Sequence, residues 1–450
     1  MRDRWVLVAV AGALSFVAML DMNIVNVALA DISAGLHVPS ATAQWAALGY
    51  QLPVVALLLP VGRWLDGTGT RPALLAATAG FTLCGALAAL SPRAAWLIAA
   101  RIGQGACAAV LFVLMPVLVI RAVRPAVRGR AMSVPATLGP LGAVTGPAVG
   151  GPLLDHLDWR WVFLVKIPFC LLALAVAWKA MPEDGAVRAP DRRALADALS
   201  VAGGLAALLL ALTPGSGQTA WFLLAAAAAP LGWWLRGPGG REVTGVLRAT
   251  GLLRAHGAVL APAAGFAAMH YVVALHLQRD EGVSATATGL TVLAFPLGMA
   301  LAGPLGGRLA DRYGYRRLAA TGSALTAAGL LLLIPLGDGW SPPDVAWRLA
   351  LAGLGMGLGG GPTQALVMGA APAGRTATVG STVQVARSLG FTLGPALATA
   401  AWALTGSGGD GARAGLALAA GAACLAVPLL ALPGRRATAA PERTADTVST

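Results

Sequence analysis

Three polar side chains that could carry out proton chemistry lie within long apolar stretches of the sequence. Asp21 is the only carboxylate inside any such stretch and away from its ends, and Arg101 and Gln104 share another stretch. A carboxylate in an apolar environment is costly unless it pairs with a cation or takes up a proton. The sequence therefore predicts that Asp21 binds and releases a proton or recognises a cation. A structural hydrogen bond to a neighbouring helix is the alternative interpretation.

Three cations also lie inside apolar stretches: Arg101, Lys166 and Arg387. The Arg101 guanidinium needs an acceptor, and Asp21, Gln104 or a backbone carbonyl would serve. Extension of the Arg101 side chain to the lipid headgroups is the alternative. Lys166 follows Arg160 by only six residues, so its amine is also expected to reach the headgroups. Arg387 lies deeper and is expected to contact a polar partner.

Further polar residues in the apolar stretches are expected to line a cavity. They are Asn23, Asn26, His270, Gln364 and Gln384. His270 and His276 are six residues apart and point to different faces of a helix, which argues against a metal pair. Because the five histidines are scattered and no nucleophile accompanies a base, we predict no catalytic residue, no metal site and no enzyme.

The composition places these residues in a membrane protein. Charged residues are 11% of the 450, against about 25% in soluble proteins, and so little charge cannot cover a soluble surface. About 20 apolar residues cross a bilayer. Fourteen stretches qualify: 5–27, 44–61, 73–91, 95–118, 131–153, 160–179, 197–213, 219–236, 256–277, 287–305, 316–336, 346–368, 379–403 and 413–432.

The seventh and eighth stretches are the weakest of the fourteen. The stretch 197–213 is short, and Pro230 interrupts 219–236. A twelve-span protein with both on the membrane surface is the alternative. The absence of a polar face favours insertion of both as a hairpin.

The basic residues indicate the orientation. With a cytoplasmic N-terminus, the inner segments hold 24 Lys and Arg residues and the outer segments hold 5. Because cytoplasmic loops are enriched in basic residues, we predict that both ends are cytoplasmic and that the protein lies in the inner (cytoplasmic) membrane. The net charge of +13 then reflects loops that face anionic lipid, not a nucleic-acid surface.

An internal repeat indicates two halves. GRWLDGTGTR at 62–71 recurs as GRLADRYGYR at 307–316, 245 residues later. The repeated residues are Gly62, Arg63, Asp66, Gly69 and Arg71, matched by Gly307, Arg308, Asp311, Gly314 and Arg316. Both copies begin on the same side, which predicts parallel repeats. We expect six-helix halves at 1–180 and 256–433, a linker with an inserted hairpin at 181–255, and a disordered cytoplasmic tail at 434–450.

Five motifs in order resemble the fourteen-span drug–proton antiporter branch of the major facilitator superfamily. They are LDMNIVNVAL at 20–29, the loop at 62–71, RIGQG at 101–105, the glycine segment 142–151 and WRWVF at 159–163. Asn23 departs from the Thr usual in the first motif. The resemblance implies an all-α integral membrane protein of 14 transmembrane helices, a major-facilitator-type bundle of two parallel six-helix repeats plus an inserted two-helix hairpin. It also implies that Arg101 tunes protonation of the coupling acid.

Two of the motifs have a direct physical interpretation. Gly142, Gly146 and Gly150 recur every four residues, and Pro147 permits bending. This pattern predicts a tightly packed hinge between the halves. Helix packing without a role in gating is the alternative. Asp66 and Asp311 precede the third and eleventh spans, where the helix dipole favours an acid and nearby arginines offer ion-pair partners. We expect these loops to latch the inner gate, with control of topology alone as the alternative.

The energy source is constrained by the lysines. Neither Lys166 nor Lys179 is followed by Ser or Thr, so the chain has no ATP-binding loop of the G-x-x-x-x-G-K-[ST] type. We therefore predict a monomeric proton-coupled exporter of small amphipathic molecules that works by alternating access and uses the proton gradient without a cofactor. The alternatives are an uptake symporter and a dedicated metabolite or antibiotic exporter.

The parallel repeat makes a topological prediction. In a cysteine-free background, Asp66→Cys and Asp311→Cys should both react with an impermeant maleimide from the cytoplasmic side, and Arg348→Cys from the outside. Labelling of positions 66 and 311 from opposite faces would contradict the duplication.

Overall fold

The computed structural model describes residues 3–186, 188, 192–211, 219–249, 253–335, 341–405 and 409–431. Within these ranges the regular elements are eighteen α-helices and one 3-10 helix, Pro125–Val127. The predicted tail at 434–450 lies outside the described residues.

The helices fall into two groups separated by a linker. The first half comprises α1 Trp5–Val27, α2 Leu29–Gly35, α3 Ser40–Ala43, α4 Trp45–Asp66, α5 Thr70–Ala89, α6 Ala94–Ala122, α7 Arg128–His156, α8 Trp161–Leu164 and α9 Ile167–Ala180. The linker contains α10 Arg192–Ala211, α11 Thr219–Arg236 and α12 Pro238–Ala249. The second half comprises α13 Leu253–Arg279, α14 Ala285–Tyr313, α15 Tyr315–Leu331, α16 Pro342–Gly369, α17 Thr376–Thr405 and α18 Gly409–Ala431.

Eight of the described helical segments are long and apolar enough to cross a membrane. Helix α7 is as long as any of these but is rich in glycine and contains Pro135, Pro140, Pro147 and Pro152. Such residues are tolerated inside membrane helices because neighbouring helices satisfy the freed backbone groups. The chain is thus an all-α membrane protein, and the count of fourteen spans stays a prediction.

The two halves repeat one packing pattern. In the first half α1 packs on α7, α4 on α6, and α5 on α6 and α9. In the second half α13 packs on α17, α14 on α16, and α15 on α16 and α18. The halves meet mainly where α7 contacts α14 and where α4 contacts α17. The interface is therefore built from equivalent helices of the two halves.

The sixth predicted stretch is divided into two helices. Helix α8 ends at Leu164, and α9 begins at Ile167 with Pro168 at its second position. Proline lacks a backbone N–H and disfavours helical geometry in the residue before it. Lys166 therefore lies at the break, next to the start of α9.

The glycines of α7 approach another helix closely, as predicted. That helix is α1 of the same half, so the predicted location between the halves was wrong. An added Cβ at Gly146 would lie 2.9 Å from the backbone nitrogen of Ile24, and one at Gly150 would lie 3.0 Å from the Ile24 side chain. Gly142 faces the backbone of Phe16. All three glycines face α1 of the same half, since α7 meets the second half through its other turns. They do not form a hinge between the halves.

The linker packs against the first half. Helices α10 and α11 contact each other, and α10 contacts α4. Helix α10 begins at Arg192, five residues before the predicted start of the seventh stretch. Helix α12 was not predicted. Its Glu242 pairs with Arg63 of the first half and with Arg375 at the start of α17.

The surroundings of Gly146 and Gly151 predict that substitution by alanine changes the stability of the protein differently at the two sites. Gly146→Ala should destabilise the protein by about 1–3 kcal/mol because the added carbon overpacks against α1. Gly151→Ala should be neutral or stabilising by up to about 1 kcal/mol, since nothing lies within 4 Å of its added Cβ. Thermal unfolding in detergent measures both. Equal melting temperatures for the two variants would contradict the packing.

Candidate functional site

The carboxylate of Asp21 is held by Arg101 inside the first half. The Nη1 of Arg101 donates to the Oδ2 of Asp21 at 2.7 Å and to the Oε1 of Gln104 at 2.6 Å. Its Nε donates to the backbone carbonyl of Ala46 at 2.8 Å. One guanidinium on α6 therefore joins α1 and α4, and it contacts all three predicted kinds of acceptor: Asp21, Gln104 and a backbone carbonyl.

Lys166 completes this group of charges. Its amine forms an ion pair with the Oδ1 of Asp21, and its side chain is 1% exposed. The expectation that Lys166 extends to the headgroups was therefore wrong. The break between α8 and α9 directs the side chain inward, a feature that spacing from Arg160 did not reveal. We call Asp21, Arg101, Gln104 and Lys166 the buried cluster.

Aromatic rings enclose the buried cluster. The Arg101 guanidinium lies 4.4 Å from the ring centre of Tyr50, whose hydroxyl donates to the carbonyl of Ala18 at 3.1 Å. The Lys166 amine lies 5.2 Å from the ring of Phe163 and 5.8 Å from that of Phe81. Cations are attracted to aromatic faces. These rings exclude water and lipid while they stabilise the cations.

The charges of the cluster do not balance. Asp21, Arg101 and Gln104 are fully buried and Lys166 is nearly so. When every group is ionised, the two cations face a single carboxylate and one positive charge remains in excess. Protonation of Asp21 would remove the only counter-charge. The ion pairs of this one carboxylate join α1 to α6 and to the start of α9.

The other predicted cavity residues do not all lie together. Gln364, Gln384 and Arg387 line a space between the halves, and the Nη2 of Arg387 donates to the Oε1 of Gln364 at 3.3 Å. The predicted polar partner of Arg387 is thus Gln364. His270 packs beside this space in an aromatic cluster, with its Nδ1 3.1 Å from the carbonyl of Phe266. Asn23 donates to the carbonyl of Met19 in its own helix, and Asn26 is exposed.

A second site lies where α4 ends against α17. The Oδ1 of Asp66 accepts the backbone N–H of Ala377 at 2.8 Å, and its Oδ2 accepts that of Thr378 at 3.1 Å. The Thr378 hydroxyl also donates to Asp66, at 2.5 Å. A carboxylate at a helix N-terminus is stabilised by the unpaired N–H groups and the helix dipole.

The same arrangement occurs where α14 ends against α7. The Oδ1 of Asp311 accepts the N–H of Gly129 at 2.8 Å, and its Oδ2 accepts that of Arg130 at 3.1 Å. Each acid thus binds the second and third N–H groups of a helix in the opposite half. The expectation that each acid caps the next helix of its own half, with arginine partners, was wrong. We call these two contacts the latches.

Two glycines make the latches possible. An added Cβ at Gly307 would lie 2.7 Å from the Cα of Arg130, and one at Gly62 would lie 2.9 Å from the carbonyl oxygen of Ala377. Backbones can approach this closely only where the side chain is absent. The repeated Gly of the loop motif therefore brings α4 onto α17 and α14 onto α7.

The other residues of the two repeated loops, 62–71 and 307–316, surround the latches. We call the end of the molecule that holds these loops and the latches the arginine-rich end. Arg63 pairs with Asp197 at 2.9 Å, and Arg71 pairs with Glu183 at 2.8 Å. Gly69 packs against Gly185, and Gly314 has a positive φ of 96° in the turn between α14 and α15. Arg308 and Arg316 form no ion pair within the described ranges.

The ion pair between Arg124 and Asp3 at this end lowers the pKa of the acid. Hydrogen bonds from the side chain and backbone of Arg124 hold the pKa of Asp3 below its usual range. The pair ties the start of the chain to the segment between α6 and α7.

The geometry provides for charge pairing and not for covalent chemistry. Among the described residues no group of three or more His, Cys, Asp or Glu side chains is placed to hold a metal ion. The buried cluster pairs one carboxylate with two cations, and the latches join the two halves.

Comparison with known proteins supports this interpretation. Residues 11–235 and 257–448 match the family profile of the Major Facilitator Superfamily. The chain is 30% identical over 401 residues to the multidrug resistance protein Stp of Mycobacterium tuberculosis, with 86% of this chain and 74% of Stp covered. It is 29% identical over 428 residues to the probable actinorhodin transporter of Streptomyces coelicolor, with 90% and 73% covered. The predicted resemblance to drug-exporting members is confirmed, as is the prediction that the chain is not an enzyme.

A solved structure shares the fold. The human organic anion transporter MFSD10 superposes with a TM-score of 0.67 at 18% identity, covering 96% of this chain and 100% of that one.

If the latches hold the arginine-rich end closed, their removal should make residues buried between the halves more accessible. Ser133 is buried between the halves, against Gly307 and Gly361. In a protein whose native cysteines are replaced, Asp66→Asn with Asp311→Asn should speed maleimide labelling of Ser133→Cys about tenfold. This follows if each carboxylate contributes about 0.7 kcal/mol through the helix dipole.

The matched control is Asp158→Asn, which removes a carboxylate paired with Arg160 near the other end of α7. It should leave the labelling rate unchanged. Equal rates in the double variant and in the control would contradict the role of the latches.

Proposed function

The chain belongs to the major facilitator superfamily, and on that basis we propose that it exports drugs or other small amphipathic molecules in exchange for protons. Its similarity to proteins named as a multidrug resistance protein and an actinorhodin transporter supports export over uptake. The observation that carries proton coupling is the buried ion pair of Asp21 with Arg101 and Lys166.

The coupling step follows from the charges of the buried cluster. With Asp21 ionised, its carboxylate holds α6 through Arg101 and the start of α9 through Lys166. Proton binding to Asp21 leaves both cations without a counter-charge, and a buried unpaired charge costs several kcal/mol. The protonated cluster must therefore rearrange. Since Asp21 is fully buried in this conformation, the proton enters and leaves in another conformation of the cycle.

Alternating access would require the latches to open. In the proposed cycle, the arginine-rich end is the cytoplasmic end, in accord with the excess of basic residues there. The Asp66 and Asp311 contacts close this end while substrate leaves on the other side. Rocking of the halves would then break both latches together, because each half contributes one acid and one helix N-terminus.

The membrane arrangement belongs to the same proposal. We place fourteen spans in the inner membrane, with both termini in the cytoplasm and α10 and α11 inserted as a hairpin. A single chain suffices, because both halves that enclose the cavity belong to it. The proton gradient supplies the energy, and no cofactor is required.

A dedicated antibiotic exporter is the second candidate. The similarity to a transporter named for actinorhodin, a single compound, favours it. Susceptibility profiles of cells with and without the protein distinguish a broad exporter, which changes sensitivity to several compounds, from a dedicated one.

Proton coupling predicts the behaviour of the Asp21→Asn variant. In proteoliposomes with an imposed inward proton gradient, wild-type protein should drive outward substrate movement with proton uptake. The variant should lose both, because an amide cannot exchange the proton. Asp31→Asn, which alters an exposed carboxylate after the same span, should keep both.

Loss of stability is a separate outcome and is controlled by a double variant. Asp21→Asn alone leaves two buried cations unpaired, whereas Asp21→Asn with Lys166→Gln restores the net charge of the wild-type cluster. The double variant should melt closer to wild type and still lack proton movement. Wild-type transport by Asp21→Asn would refute the coupling role.

A further inference from the structure

Arg387 lies in a space that both halves enclose. One part of this space, about 100 Å³, is lined by Pro140 of the first half and by Met356, Gln364, Arg387 and Phe391 of the second. A neighbouring part of about 50 Å³ adds Met19, Phe112 and Met115 of the first half. Arg387 lines both parts. Pockets for drug-sized ligands have volumes of about 300–1,000 Å³, so a substrate would use this lining in a more open conformation.

The guanidinium of Arg387 contacts a neutral partner. Its one hydrogen bond goes to the neutral amide oxygen of Gln364, at the long distance of 3.3 Å. Within the part of the chain that the structure describes, Arg387 forms no ion pair with a carboxylate. The nearby Oε1 of Gln384 is buried without a hydrogen-bond partner. The polar groups at this point of the cavity are therefore incompletely satisfied.

The other intramembrane cations differ from Arg387. Arg101 and Lys166 both contact Asp21, and no second carboxylate lies in their cluster. Arg387 is half-buried, and a guanidinium that is withdrawn from water without a carboxylate partner is costly. It also repels a second cation and attracts an anion. The electrostatics of the cavity thus favour a substrate that brings its own negative charge.

We propose that Arg387 binds the anionic group of an amphipathic organic acid, so that the transported molecule is an anion and not a lipophilic cation. Guanidinium binds carboxylates with paired, charge-assisted hydrogen bonds. The apolar body of the acid contacts Phe112, Phe391 and the methionines of the lining, whose flexible side chains adapt to different shapes. This substrate class rests on the proposed transport of small molecules.

The test compares three probes with one ring system: pyrenebutyrate, pyrenebutyramide and pyrenebutyltrimethylammonium. Fluorescence anisotropy measures their binding to the whole protein in nanodiscs, with empty nanodiscs as the blank. Wild-type protein should bind the acid most tightly and the ammonium probe least. A stronger affinity for the ammonium probe, or no binding of the acid, would overturn the proposal.

Variants locate the binding group. Arg387→Gln should weaken binding of the acid about tenfold or more, the loss expected for a charge-assisted hydrogen bond, and should leave the amide unchanged. Arg387→Lys should restore part of the affinity for the acid. The matched control Arg413→Gln removes an arginine outside this cavity and should change nothing. An equal loss of all three probes in Arg387→Gln, without rescue by lysine, would show a structural role instead.

Proton coupling and the anion site at Arg387 can be refuted independently of each other. Binding of the acid through Arg387 without any proton movement would leave the substrate class standing and remove proton coupling. Export of the ammonium probe in exchange for protons would support coupling and overturn the anion site.

Discussion

A single carboxylate shared by two buried cations is the interaction on which the first half of this protein depends. Asp21 joins α1 to α6 through Arg101 and to the start of α9 through Lys166, and Arg101 also binds the carbonyl of Ala46. Asp21 and Arg101 together therefore connect α1, α4, α6 and the start of α9. Because the acid is fully buried, the proposed cycle requires a rearrangement of the helices around it whenever its charge changes.

The helices that hold the buried cluster also reach the latches. Helix α4 accepts a hydrogen bond from Arg101 near its start and ends at Asp66, which binds the N-terminus of α17. Helix α1 carries Asp21 and packs closely on Gly142 and Gly146 of α7, whose N-terminus binds Asp311. In the proposed cycle, a movement of α1 or α4 on protonation would reach both contacts between the halves through α4 and α7. Contiguous packing of this kind is a physical route for coupling two sites.

Much of this arrangement could be predicted from the sequence. The scarcity of charge required a membrane protein, and one lone acid among apolar residues identified Asp21 as the group to explain. The partners Arg101 and Gln104 followed because a buried guanidinium must find acceptors. Arg387 was expected to contact a polar group, but the sequence could not select Gln364, which lies 23 residues away on another helix.

The failed predictions for the glycines and for the latch acids share one cause, the lack of information about which helices are neighbours. Spacing showed that the glycines of α7 form one face, yet only packing shows that Ile24 and not the second half lies against it. Asp66 was assigned to the adjacent helix, whereas the N–H groups that it binds are 311 and 312 residues away. Lys166 was misplaced because the helix break before Ile167-Pro168 turns its side chain inward. Pro168 is the local signal that could have indicated this break.

The most direct test of the account is infrared difference spectroscopy of the Asp21 carboxyl group as the protein passes from the latched conformation to the substrate-exchanging one. The account predicts that the stretching band of a protonated carboxyl group appears during this transition in wild-type protein and is missing in the Asp21→Asn blank. An ionised Asp21 carboxylate in every conformation would contradict it.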